Sequence, residues 1–278
     1  MTVDEHYENF PVASVLVPSA TRPFVIALYR FARHADDVAD EGDASAEERL
    51  ATLSALDEDL IGLFGGGEAQ APTVRGLSVI RDARHITISA QPFRDLLDAF
   101  RQDLTVRRYK SYEQLLEYCR RSANPVGRIM LAFVGVNDAR AFAASDQICT
   151  SLQLINFWQD AGVDASRGRI YVPELEFVQH AVSPERFPMH PTHRELMRTQ
   201  CDRARDLLTS GLPLLSYLSG RFRLEIAFTI AGGLRILDKI ATNDWDVSQR
   251  PTLRWYDSLP ILCHATRVWF RASKHRAS

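Results

Sequence analysis

Long apolar runs are missing from this chain. Nowhere do its 278 residues approach the ~18 consecutive apolar positions that would suggest a membrane span, and the opening MTVDEHYENF carries acids where a secretory leader would be apolar. A cytoplasmic protein is expected, with contact at the inner face of a membrane left open. Cysteine is also scarce. Cys119, Cys149, Cys201 and Cys263 lie far apart, with no CxxC and no histidine at finger spacing. That excludes a disulfide framework and a structural zinc site, and predicts buried thiols in a reducing compartment. Neither charge is in excess: 33 Lys+Arg stand against 35 Asp+Glu, a formal charge of −2. Nothing global marks a nucleic-acid partner. The glycine run between Phe64 and Pro72 matches neither GxGxxG nor a P-loop, so it reads as a surface loop. The eight histidines are scattered, and no GxSxG elbow accompanies them, which disfavours a Ser/His/Asp hydrolase.

What is present points to helices. Apolar residues recur at helical spacing along nearly the whole chain, while alternating β-branched runs are few, so the expected fold is all-α. Thr21 with Pro23 should open a helix that runs to about Glu41, and Gly42 stands where a helix stops. Ser45 to Glu48 and Ser111 to Gln114 both read as capping boxes. Two stretches, Phe64 to Pro72 and Pro184 to Thr192, are linker candidates, but neither separates halves of different composition. A single domain over 1–278 is the simplest organisation.

Two acidic constellations stand out. In the first, Asp36 and Asp40 project within about 40° of each other on a helix, with Arg33 and Tyr29 on the same side. Seven acids and no base lie between Asp36 and Glu48. Alone, such a run reads as a solvated helix end. In the second, Gln153, Asn156, Asp160 and Asp164 spread over about 80° of a helix otherwise built from Leu152, Leu154, Ile155, Phe157 and Trp158. A polar stripe on a buried helix needs partners, because uncompensated buried charge costs several kcal/mol per ion. Two such helices together favour a hard cation, since Mg²⁺ takes one or two carboxylates and completes its octahedron with water and phosphate oxygens. A diphosphate substrate follows.

These motifs, in order, resemble the squalene/phytoene synthases. The resemblance runs through Asn9-Phe10, Leu28 to Arg33 leading into Asp36-Asp37-x-x-Asp40, Tyr118-Cys119 followed by Val126-Gly127, and Gln153-x-x-Asn156-x-x-x-Asp160-x-x-x-Asp164 followed by Gly168 to Pro173. It implies an isoprenoid-synthase-type helical bundle with a central cavity. It also implies a Mg²⁺-dependent enzyme in which Asp36, Asp40, Asn156, Asp160 and Asp164 are the metal-holding catalytic residues. Asn9, Phe10, Tyr29, Arg33, Gly127, Arg128, Gln153, Phe157, Gln159 and Tyr171 are the implied substrate contacts. Gln159 and Arg128 stand where many relatives have arginine and glutamate. With Asn156-Phe-Trp-Gln-Asp160, they make the chain look most like the bacterial hydroxysqualene synthases of hopanoid biosynthesis. The implied reaction is a carbon–oxygen lyase step, presqualene diphosphate plus water giving hydroxysqualene, in functional coupling with other enzymes of that pathway. The alternatives are a head-to-head prenyl transferase of the presqualene diphosphate or phytoene type, and a non-catalytic isoprenoid-binding protein. The segment from Ser258 onward has bases and apolar residues but no acid, which suggests peripheral membrane contact.

Overall fold

A computed structural model describes residues 19–83 and 86–274, and among them every regular element is helical. The first part of the chain forms α1 (Arg22–Asp40), α2 (Ala46–Phe64), the single turns α3 (Pro72–Arg75) and α4 (Ser78–Arg81), and α5 (Gln91–Asp103). The middle forms α6 (Tyr112–Ser122), α7 (Asn124–Phe133), α8 (Ala139–Gln159), α9 (Ala161–Ser166) and α10 (Glu174–Gln179). The rest forms α11 (His193–Ser210), α12 (Leu214–Tyr217), α13 (Gly220–Thr242) and α14 (Ser258–Lys274).

Helix α1 behaves as its sequence dictates. Pro23 sits in the first turn, where its missing N–H costs nothing, and Phe24, Leu28, Phe31, Ala35 and Ala39 make the buried stripe. Past its end, Gly42 has φ +77°, a conformation glycine adopts without a Cβ penalty. The capping box of α2 is complete: Glu48 N–H donates to Ser45 Oγ at 3.2 Å, and Ser45 N–H donates to Glu48 Oε2 at 2.8 Å. The expected box at α6 is only half there. Gln114 N–H donates to Ser111 Oγ, but the Gln114 carboxamide oxygen takes the N–H of Lys110 at 2.7 Å instead of that of Ser111. The box thereby ties down the loop before the helix.

The buried apolar residues form two clusters. One joins α1 to α5 with Ile129 and Phe133 of α7. The other gathers α6, α8 and the helices that follow, with Leu131 of α7. Helix α7 thus faces both. It approaches α8 so closely that a Cβ on Gly127 would come within 2.4 Å of Ser145 Oγ and 2.6 Å of Cys149 Sγ. Neither linker candidate is loose chain. The Asp59 carboxylate accepts from the N–H groups of Gln70 and Ala71 at 2.9 and 2.6 Å. Phe187, in the proline-rich stretch, is buried edge-on against Phe177. One thiol departs from expectation: Cys119 and Cys201 are buried and Cys149 is half-buried, but Cys263 is exposed, because it lies on the outer face of α14.

Candidate active site

The first acidic motif lies at the end of α1, in one apolar cluster, and the second lies at the α8/α9 junction, in the other. The loops after α5 and α9 run side by side between them. Ile170 N–H donates to Arg107 O at 3.2 Å, Glu174 N–H to Tyr109 O at 2.9 Å and Leu175 N–H to Lys110 O at 3.1 Å. These main-chain bonds bring Arg107, Arg167 and Arg169 to the mouth of a cavity of about 700 Å³ that also takes in Arg33, Asp36, Asp40, Glu41 and Arg49. Carboxylates and guanidinium groups therefore share one cleft.

Each motif has one carboxylate in a close arginine pair and one whose ionised form is disfavoured by burial and a neighbouring carboxylate. Arg169 grips Asp40 through two hydrogen bonds of 2.6 and 3.1 Å. Arg250, from the loop after α13, pairs with Asp160. Asp36 is different: burial and the facing Asp40 push its pKa up to about 6, against the opposing pull of Arg33. Burial and the neighbouring Asp160 do the same to Asp164, also to about 6, with Arg169 opposing and Asp40 adding to the rise. The charges of Asp40 and Asp164 thus act on each other across Arg169. Arg33 is divided among Asp36 at 3.2 Å, Asp37 at 2.8 Å and Glu41 at 2.9 Å.

An aromatic wall adjoins this charged region. Tyr171 stacks on Phe157 with ring centroids 3.7 Å apart and planes within 6° of parallel. Tyr109 and Tyr118 extend the group, at 5.9 and 6.4 Å from Tyr171. Against it lies Asp103, the last residue of α5, whose carboxylate accepts a 2.8 Å hydrogen bond from Tyr118 Oη. Burial raises the Asp103 pKa to about 6 even though the Tyr118 hydroxyl and Arg169 favour the ionised form. Burial likewise holds the Tyr118 and Tyr171 phenols well above their ordinary range.

The structure brings together Asp36, Asp40, Asp160, Asp164, Arg33, Phe157 and Tyr171. Asp103, Arg49, Arg107, Arg167, Arg169 and Arg250 join them; motif spacing passes over all but Arg169, which sits in the Gly168 to Pro173 run without an assigned role there. The second motif differs from the continuous buried stripe expected of it. Helix α8 ends at Gln159, Asp160 departs from helical ψ at +5°, and α9 starts at Ala161. The stripe faces outward, with Asn156 exposed and Gln153 and Asp164 half-buried. Tyr29 is half-buried on α1. Asn9 and Phe10 lie outside the described residues.

Three expected contacts have their side chains or space taken elsewhere. Arg128 makes a bidentate pair with Asp146 at 2.6 and 3.1 Å and lines a separate recess with Phe142. Gly127 is the close-packing point of α7 on α8. Gln159 is 1% exposed and donates to Pro251 O at 2.6 Å, which anchors the loop that carries Arg250.

Comparison with known proteins agrees with this architecture. The squalene/phytoene synthase family model matches residues 3–257. The chain belongs to that family. Among its relatives, the hydroxysqualene synthase of Sinorhizobium fredii is 33% identical over 85% of this chain and 80% of its own length. That of Zymomonas mobilis is 42% identical over 60% of this chain, a match spanning about half (54%) of the relative. The 15-cis-phytoene synthase of Synechococcus elongatus is 31% identical over 91% of this chain and 87% of its own. The crystal structure of a squalene synthase from Alicyclobacillus acidocaldarius superposes with a TM-score of 0.79 at 34% identity, covering 87% of this chain and 90% of that one. The fold is the isoprenoid-synthase helical bundle of this squalene/phytoene synthase family.

Proposed function

We propose that this family member is a hydroxysqualene synthase, converting presqualene diphosphate and water to hydroxysqualene and diphosphate. The supporting observation is a cleft lined by the first acidic motif and a set of arginines, with the second motif and an aromatic wall beside it. Such a cleft suits a substrate with a polyanionic head and a hydrocarbon tail. The carbon–oxygen bond to diphosphate breaks with both electrons leaving on the diphosphate. A preformed array of cations accelerates this step by stabilising charge that develops as the bond breaks. In this reading Arg33, Arg107, Arg167 and Arg169 would hold the departing diphosphate, and Phe157 and Tyr171 would steady the carbocation. Water then adds to the cation and loses a proton, for which the Asp103 carboxylate, steadied by Tyr118, is the nearby acceptor.

The residues also fit Mg²⁺. Among the described residues no three His, Cys, Asp or Glu side chains converge into a cage. The carboxylates come in pairs, and burial with a neighbouring carboxylate disfavours the ionised forms of Asp36 and Asp164, a donor set that suits an ion sharing its coordination with substrate phosphates. Asp36 and Asp40 on one side, and Asn156, Asp160 and Asp164 on the other, would hold it. Bound there, the ion would neutralise the leaving group.

The likeness to a phytoene synthase favours a second reading, head-to-head prenyl transfer. Purified protein with Mg²⁺ and no NADPH, given either farnesyl diphosphate or presqualene diphosphate, separates them. Hydroxysqualene from presqualene diphosphate, with farnesyl diphosphate untouched, is expected. Consumption of farnesyl diphosphate alone transfers the chain to the condensing enzymes, and full turnover after exhaustive chelation removes the metal from the scheme.

A further inference from the structure

Five large apolar side chains stand in solvent within sixteen consecutive residues: Trp255, Tyr256, Leu259, Leu262 and Phe270, with Trp255 85% exposed and Leu259 and Phe270 each 69%. Leu259, Leu262, Cys263, Thr266 and Phe270 fall within about 100° of the α14 wheel. The opposite face is already committed to the bundle. Ala265 and Val268 are buried there, and Trp269 lies under the Arg223 guanidinium at 3.9 Å. A helix that merely closed the core would present a polar outer face. This one presents an outer stripe with no charged residue in it, and contiguous exposed apolar surface of that kind marks an interaction site.

Charge identifies the occupant. From Ser258 to Lys274 the chain carries Arg267, Arg271 and Lys274 and no acid. The acid just before it, Asp257, is wholly buried and neutralised by Arg235 and Lys239, each at 2.7 Å. Exposed Arg254 and Arg267 flank the stripe, and no described residue forms an ion pair with Arg267. Arg267 also borders a recess of about 200 Å³ with Arg205 and His264 at its rim and Leu208 and Leu212 in its wall. An apolar stripe, an adjacent Trp-Tyr pair and acid-free cationic flanks are complementary to the acyl boundary and phosphates of an anionic bilayer. Pairing α14 with a second copy would instead bring two such cationic segments together. Among the described residues no helix is long and apolar enough to cross a membrane. We propose that α14, with Trp255 and Tyr256, docks this protein in the interface of an anionic lipid surface without crossing it. The docking does not depend on which prenyl diphosphate the cleft takes.

Flotation of the full chain with phosphatidylcholine vesicles, with and without phosphatidylglycerol, tests this. Binding should require the anionic lipid and weaken as salt rises. The triple variant Trp255→Ser/Leu259→Ser/Phe270→Ser changes exposed positions only, and should keep its circular dichroism and bind at least about tenfold less. Arg267→Glu should cost roughly fivefold or more. A dye on Cys263 of the otherwise unmutated chain should shift to the blue on anionic vesicles, a readout that does not need the triple variant to fold. Equal binding by wild type and the triple variant overturns the proposal, as does an unshifted dye. A wild-type dimer that the triple variant loses, without vesicle binding, assigns the face to a second copy instead.

Discussion

The two acidic motifs reach a similar electrostatic state by different routes. At the end of α1 the cation on Asp36 and Asp37 is local, while Asp40 takes Arg169 from 129 residues further along. Arg33 is three and four residues from the Asp36 and Asp37 it touches, so an uninterrupted helix builds most of the cluster. At the α8/α9 junction the cation is imported, since Arg250 reaches Asp160 from a loop 90 residues further along the chain. Two contacts fix that loop: Gln159 on Pro251 O, and Gly162 packed so closely that a Cβ would lie 2.4 Å from Ser248 O. One motif combines a cation from its own helix with Arg169 from a distant loop, and the other relies on tertiary packing alone. In both, burial and a neighbouring carboxylate raise the pKa of one carboxylate.

The largest expected effect breaks the likeness between them. Asp36→Asn and Asp164→Asn each remove a carboxylate proposed to face the leaving group, and should lower turnover of presqualene diphosphate by about 10²–10³. Without metal, the same variants should melt a few degrees higher, because a neutral amide relieves a desolvated, repelled charge. A lower melting temperature in both would dissolve the electrostatic parallel. Next in size, Arg250→Ala strands Asp160 beside Asp164 and should destabilise the metal-free protein by about 1–3 kcal/mol, with Mg²⁺ recovering part of the loss in thermal melts. Arg33→Ala should cost less, because its partners are more exposed; equal losses would mean that the imported cation has no special weight.

Gly162→Ala probes the packing beneath the second motif. The added methyl must displace the Ser248 carbonyl, so a loss of about 1–3 kcal/mol in denaturant unfolding is expected, with activity reduced because Arg250 shifts. The remaining test is the pH response. Asp36, Asp103 and Asp164 have folded-state pKa values near 6, against an ordinary value of 3.8. The folded protein therefore holds extra protons between these limits, and that contribution to stability is present below about 4 and lost as pH rises through 6. Metal-free protein should melt at a higher temperature at pH 5 than at pH 7.5, and Mg²⁺ should flatten the trend. A metal-free profile that rises toward pH 7.5 contradicts the assignment.

How far the sequence reached follows the same division. Helix α1, its proline start, its glycine stop and the proximity of Asp36 to Asp40 depend on residues within one or two turns, and spacing reveals them. The break at Asp160 was invisible because a helical wheel assumes an unbroken helix, and the inward tilt assigned to the second stripe came from its apolar neighbours alone. Arg107 and Arg169 meet only because two loops exchange main-chain bonds, which leaves no periodic trace. Asp103 looks like any acid at a helix end until Tyr118 is seen to cover it. Gln159 was legible as unusual, but its bond to Pro251 depends on a loop about ninety residues away.

The pairing of Ile170 with the Arg107 backbone sets a distance as well as a contact. In an extended segment, residues two apart point the same way and lie about 7 Å apart, so Arg169 turned to the carboxylates and Tyr171 turned to Phe157 form a ruler with two marks. Ile170, between them, is buried on the other side. Inserting one residue there would invert the ruler and put an aliphatic side chain where one of the marks stands. Exchanging Phe157 or Tyr171 for other ring systems would leave its length unchanged. If the cleft takes the proposed substrate, the hydrocarbon could vary far more readily than the offset between the anionic head and the first flat surface beyond it.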